Sequence, residues 1–355
     1  MVAAARYAAD YDGFLAVSPG FNLPKAAVAQ LWGAQLWAGI AGTPRTDLEA
    51  AFPAAERALV ARAINARCDA LDGLADGMVN DVEACRTAFD INRDVPTCSA
   101  ARDGTCLYAE QKLAYAKVFA GAKNSAGDAL YASWPFDPGV SQTGWADWKF
   151  RNSVGPRDAV AMAFVFQTPP ASTSVLNDTV SFALSFNVDT DAPKIFATSG
   201  AYSESSMSFM TPPNPAQLDT LRNRGAKMMV IQGQSDGVFS PDDTKAWYGS
   251  VDSRYGGHAA DFVRFYRVPG MGHSRGGPAT DQMDAITALV NWVEKGQAPD
   301  QIVATARGAG NPGGVNAELP ADWSATRSRP LCAYPAIARY KGGDVEKAAS
   351  FACER

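Results

Sequence analysis

Two short stretches in the last third of this 355-residue chain carry residue types suited to proton transfer. The apolar run Lys227–Ile231 leads into Gln-Gly-Gln-Ser-Asp-Gly, which sets Asp236 just past a strand end. The run Phe262–Val268 leads into Pro-Gly-Met-Gly-His, which sets His273 just past the next one. An acid after one strand and a histidine after the following strand is the order of the last two members of a Ser–Asp–His triad in an α/β-hydrolase. In that chemistry the imidazole takes the nucleophile's proton, while a buried carboxylate holds the tautomer and stabilises the imidazolium. Loops at the C-terminal ends of parallel strands are where such groups converge. The only other histidine, His258, follows Tyr255 and two glycines and reads as a surface-loop residue. For Asp236 the alternative is a turn or cap role.

A competing motif overlaps the first stretch. Gly233–Gly237 fits the nucleophile-elbow pattern G-x-S-x-G, with Ser235 at its centre and a strand before it. A nucleophile there needs a helix to begin at once, and an acid-bearing strand before the histidine. Pro241 follows closely instead, and little room for another strand remains before His273. Asp236 as the acid is the better reading.

The elements that must position these residues are α/β in pattern. Met1–Ala9 reads as helix and Phe14–Val17 as a short buried strand. Residues 22–66 are helical, with apolar positions recurring at three- and four-residue steps. Residues 67–214 form a long irregular middle, with a helix at Ala109–Ala120 and an aromatic run holding Trp145, Trp148 and Phe150. Helices are expected at Gln217–Arg224, Thr244–Tyr255 and Asp281–Lys295, and a loop-rich tail after about residue 300. The alternation after residue 215 predicts a doubly wound, mostly parallel sheet.

Composition narrows the partners. Hydrophobic residues make up 47% of the chain, enough for a sizeable core, and the net charge is −5 with no basic block. Phosphate binding needs clustered Lys and Arg, so nucleic acid and anionic membranes are not expected partners. No apolar run approaches a bilayer-spanning length. The six cysteines, Cys68, Cys85, Cys98, Cys106, Cys332 and Cys353, fall as three short-range pairs without a C-x-x-C. Disulfides 68–85, 98–106 and 332–353 are the simplest of fifteen connectivities, with six reduced, buried thiols as the alternative, and the disulfides predict an oxidising compartment, hence a secreted or periplasmic protein. Residues 1–13 carry no basic stretch followed by an apolar one, so no signal peptide is visible. An exported chain without an export signal implies a start upstream of Met1.

A second constellation lies at Cys68–Met78, where Asp69, Asp72 and Asp76 are spaced by three and four with glycines between. A hard cation such as calcium takes several carboxylate and carbonyl oxygens from such a loop. The spacing is not that of an EF-hand, and by itself it leaves a calcium loop and an acidic solvated turn both open.

Taken together and in order, these segments resemble the tannase/feruloyl esterase family. The resemblance rests on Tyr7–Gly13, the Cys68–Cys85 loop with its aspartates, Lys194–Thr198, the Gly233–Asp236 turn, Pro269–His273 and the Arg329–Pro335 tail. It implies an α/β-hydrolase core, incomplete at the N-terminus, with a large inserted lid: core at 1–21, lid at 22–214 and core again at 215–355. It also implies a structural Ca2+ held by the side chains of Asp69, Asp72 and Asp76 and by the backbone carbonyls of Leu74 and Met78. Asp236 and His273 become triad acid and base, and the three cysteine pairs become the family's disulfides. In the family the nucleophile sits in a Gly-Cys-Ser-x-Gly-Gly elbow a short helix upstream of the Tyr7–Gly13 match, so the serine is expected to lie outside these residues. Ser274 stands where the family has a cysteine tying the histidine loop to that elbow. The function implied is hydrolysis of small aromatic esters (hydroxycinnamates, gallates or terephthalate half-esters), with Trp145, Trp148 and Phe150 as candidate pocket residues. The alternative is a non-catalytic, calcium-stabilised module that binds aromatics.

Overall fold

A computed structural model describes all residues 1–355. A short helix α1 (Val2–Arg6) precedes strand β1 (Gly13–Val17). β1 pairs in parallel with β2 (Lys227–Gly233), and β2 pairs in parallel with β3 (Val263–Val268), in the order β1-β2-β3. Central strand β2 is buried from Met228 to Gly233. A parallel strand covered on both faces is apolar throughout rather than alternating, and Met-Met-Val-Ile satisfies that.

Period-two geometry divides those side chains between two cores. Met228 and Val230 pack on one face with Trp247, Tyr248 and Val251 of the helix Pro241–Arg254. Met229 and Ile231 pack on the other with Trp292 of the helix Ala285–Lys295. Each helix starts at a serine or aspartate cap, Ser240 and Asp284, whose side chain accepts a backbone N–H. Pro241, which reads in the sequence as a break after Ser235, is the first residue of its helix, where a missing N–H costs nothing.

Between β1 and residue 215 lie only helices, turns and isolated bridges. Helices α2 (Leu23–Ala38) and α3 (Ala54–Cys68) begin this segment. It has its own core of 40 buried residues, from Ala26 to Met207, with Trp37 stacked on Phe52 at 5.4 Å.

The tail corrects the sequence expectation. Instead of loops, β5 (Gln301–Thr305) and β6 (Ser328–Cys332) form an antiparallel sheet with β4 (Gln282–Met283), a strand at the start of the helix expected from Asp281, and β7 (Ile337–Tyr340) and β8 (Phe351–Glu354) form a hairpin. Arg329 and Pro330 break the strand pattern of β6, yet Val303 faces Pro330 and Ala304 faces Arg329 in the ladder. The cysteines are bonded as 68–85, 98–106 and 332–353, with none free. No helix is long and apolar enough to cross a membrane.

Candidate active site

The two strand ends meet. Asp236 is fully buried in the turn after β2, where one carboxylate oxygen accepts the N–H groups of Val238 at 2.9 Å and Phe239 at 3.0 Å. Gly237 must be glycine here, because a Cβ would lie 2.9 Å from Trp145 Cδ1. His273 follows β3 in a loop whose Gly270 has φ +71°. Its Nδ1 lies 3.0 Å from Oδ2 and 3.2 Å from Oδ1 of Asp236. The histidine side chain is about one-third exposed (36%) and the aspartate not at all. Burial alone would lower the His273 pKa, but the hydrogen bond and charge of Asp236 outweigh it and hold it above the ordinary histidine value. These are the relations of a base oriented by an acid, with Nε2 left for a substrate or nucleophile.

Aromatic rings border the imidazole. Phe239 presents its edge at 5.3 Å and Trp148 lies at 6.2 Å. The sequence-stretch candidates therefore part company: Trp148 faces the histidine, whereas Trp145 and Phe150 are core residues at 4% and 3% exposure. Below the acid turn, Gln30 of α2 donates to the carbonyls of Gly237 and Val238, both at 2.9 Å. Its Oε1 receives Lys149 Nζ at 3.1 Å. Burial pushes the Lys149 pKa down to about 7, against the opposing charges of Asp158 and Asp236.

Ser235 is not bonded to this pair. Its Oγ donates to the buried carboxylate of Asp137, and the helix after the G-x-S-x-G match begins only at Pro241. His273 makes side-chain hydrogen bonds to Asp236 alone. Ser274, the residue replacing a cysteine of the resembled family, is held without a disulfide. Its N–H donates to Ser18 Oγ at 2.9 Å, at the end of β1, and both serines have positive φ, +68° and +47°. His258 is exposed beside Asp261 at 3.4 Å, as a surface-loop residue would be.

The acidic loop after α3 is knit by its own backbone. Asp69 accepts the N–H groups of Asp76, Gly77 and Met78 at 2.8–3.2 Å. Asp72 accepts those of Leu74 and Asn80 and the Asn80 amide, and Asp76 pairs with Arg329. In this arrangement no three acidic, histidine or cysteine side chains gather closely enough to hold a metal ion. The donor chemistry nevertheless suits a hard cation. Asp69 and Asp72 have no cationic side-chain partner, and Met78 is fully buried with no N–H donating to its carbonyl. The Leu74 carbonyl accepts none either. A cleft of about 900 Å³ runs past this loop, lined by Asp69, Asp76, Gln142, Glu318 and Trp323 but not by Asp236 or His273.

A parallel sheet with an acid and a histidine after successive strands defines a protein of the α/β-hydrolase type. A family model described as tannase and feruloyl esterase matches residues 1–354, and the chain belongs to that family. It is 38% identical over 383 residues to a mono(2-hydroxyethyl) terephthalate hydrolase of Piscinibacter sakaiensis, covering 99% of this chain and 61% of the relative. It is 29% identical over 360 residues to a probable feruloyl esterase of Arthroderma benhamiae, covering 100% and 61%. The fold is similar to a crystal structure of an esterase from Aspergillus oryzae, with TM-score 0.74, 21% identity, and 99% and 66% of the two chains covered. A feruloyl esterase B from Aspergillus oryzae superposes with TM-score 0.69 at 22% identity, covering 99% and 65%. The chain thus spans 61% of the length of each of these two curated relatives.

Proposed function

We propose that this chain carries the acid–base half of a serine-type carboxylic ester hydrolase acting on small aromatic esters. The observation that carries the reading is the Asp236–His273 pair at 3.0 Å, part-open to solvent and bordered by Phe239 and Trp148. The aromatic substrate class draws on those rings and on family relatives named for terephthalate and feruloyl esters. His273 Nε2 takes the proton of an attacking serine hydroxyl and returns it to the leaving alcohol, while Asp236 on Nδ1 steadies the imidazolium. The nucleophile in this reading is not among the described serines, since Ser235 serves Asp137 and no hydroxyl bonds to His273. Residues 22–214 act as a lid over the site. The three disulfides support a secreted or periplasmic setting.

The test is a panel of hydroxycinnamate, gallate and terephthalate half-esters, offered to the chain alone and to a longer form carrying an upstream serine elbow. Turnover by the longer form only is expected. Turnover by residues 1–355 that survives Ser235→Ala and is blocked by a serine-directed inhibitor would overturn the assignment of the nucleophile. Aromatic binding without turnover by either form would favour the non-catalytic module.

The same reading places a structural calcium ion at Asp69, Asp72 and Asp76, with the carbonyls of Leu74 and Met78 completing the oxygen set. Calcium at about 100 times its Kd is then expected to add about 2.7 kcal/mol to stability, read as a rise in melting temperature that a chelator reverses and Asp72→Asn diminishes. A melting temperature indifferent to both calcium and chelator would remove the ion from the account.

A further inference from the structure

We propose that Asp137 is a positioning residue that sets the acid-bearing turn and the histidine-bearing loop at their working separation. The inference rests on the reading of Asp236 and His273 as a catalytic pair and goes beyond it, to what holds the pair together.

Asp137 lies in the segment between β1 and β2, far in sequence from both loops, and is 1% exposed. One carboxylate oxygen accepts the hydroxyl of Ser235, the residue immediately before Asp236. The other accepts the N–H of Gly270 at 3.0 Å, three residues before His273. The N–H of Gly139 donates to the first oxygen at 2.9 Å, turning the chain so that the carboxylate faces both loops. A single buried group thus bridges the two strand ends.

Packing around the bridge is tight on both sides. A Cβ at Gly139 would lie 2.5 Å from the Ser235 side chain and 2.6 Å from the Gly270 carbonyl oxygen. Gln142 donates to the Ser235 carbonyl at 3.2 Å. The segment 137–142 is therefore wedged between the loops and hydrogen-bonded to each, so it couples the inserted helical region to the geometry of the pair. Burial raises the Asp137 pKa, and the bonds from Ser235, Gly139 and Gly270 oppose that rise. No cationic side chain is bonded to it, so hydrogen-bond geometry, not ion pairing, is what the residue supplies. A base misplaced by about 1 Å can lose on the order of 10²-fold in rate, which gives a bridge of this kind its consequence.

With only two histidines in the chain, imidazole NMR reads His273 directly, and His258→Gln removes the second signal. In the unaltered chain His273 is expected to titrate above the ordinary histidine value and to show a downfield Nδ1–H resonance. Asp137→Ala is expected to lower that midpoint and to broaden or erase the resonance. Asp137→Asn keeps the volume but sets its NH2 against the N–H of either Gly139 or Gly270, so it is expected to fall between the unaltered chain and Asp137→Ala on both readouts. If Asp137→Ala does not fold, Ser235→Ala carries the test, since it removes one arm only and should move the midpoint the same way. A folded Asp137→Ala or Ser235→Ala chain that melts earlier but leaves the His273 midpoint and resonance unmoved would reduce Asp137 to a packing residue. Should Asp236→Asn also leave His273 unmoved, the pair itself is misread, which is a separate failure.

Discussion

On the proposed mechanism, His273→Ala in the longer form with its upstream serine is expected to lower kcat for an aromatic ester by about 10⁴- to 10⁶-fold, with little change in KM. The imidazole is the only side chain bonded to buried Asp236. Asp236→Asn is expected to cost about 10⁴-fold, because an amide favours the wrong tautomer. The two losses should not add, since in the proposed mechanism both residues serve one proton transfer. The pH dependence has a definite sign. His273 works as a base when neutral, and its pKa is held above the ordinary value, so the acidic limb of kcat/KM should lie above about 6.5. In Asp236→Asn the raising contributions vanish while burial remains, and the limb should move down. The same pairing stabilises the fold most below the unfolded-state value and fades as pH rises through the folded one. A His273→Ala enzyme within tenfold of the parent would sink the assignment.

Arg329→Met is expected to destabilise the fold by about 3–5 kcal/mol. The Arg329 side chain is fully buried, bonds the Asp76 carboxylate and the Ser328 carbonyl, and lies 4.4 Å over the Phe351 ring. Methionine retains most of the volume and removes the charge, leaving Asp76 buried with one backbone N–H, that of Met78 at 3.1 Å. An uncompensated buried carboxylate carries most of the penalty, so replacing Asp76 by leucine as well should recover part of it. Chemical denaturation in the presence of chelator measures this without any ion at Asp76. A loss under 1 kcal/mol would mean that water reaches the carboxylate and screens it. Because the pair joins β6 to the loop after α3, its loss should also loosen the Cys68–Cys85 region, which hydrogen exchange would register.

The features legible in the chain alone are those that rest on neighbouring residues. Asp236 and His273 could be found because a strand, a glycine turn and a reactive side chain follow one another within a dozen positions. The three disulfides join nearest neighbours in sequence, with separations of 17, 8 and 21 residues. The β1, β2 and β3 strands and the Ala109–Ala120 helix announce themselves through apolar runs and periodicity.

Other features depend on partners that local pattern does not reveal. β6 holds a buried arginine and a proline, and it becomes a strand because β5 supplies the ladder. Among Trp145, Trp148 and Phe150, the π-helical winding of residues 147–152 and the packing against Phe52 and Trp37 decide which ring turns to His273. Asp137 reads as an ordinary Asp-Pro-Gly turn, and its partners lie 98 and 133 positions away. The types of the reacting groups and their order along the chain are thus local properties, set by short-range periodicity and turn chemistry. Their distance, their burial and the groups that hold them arise when the inserted helices close on the strand ends, because hydrogen bonds and packing between remote segments form only in the assembled fold.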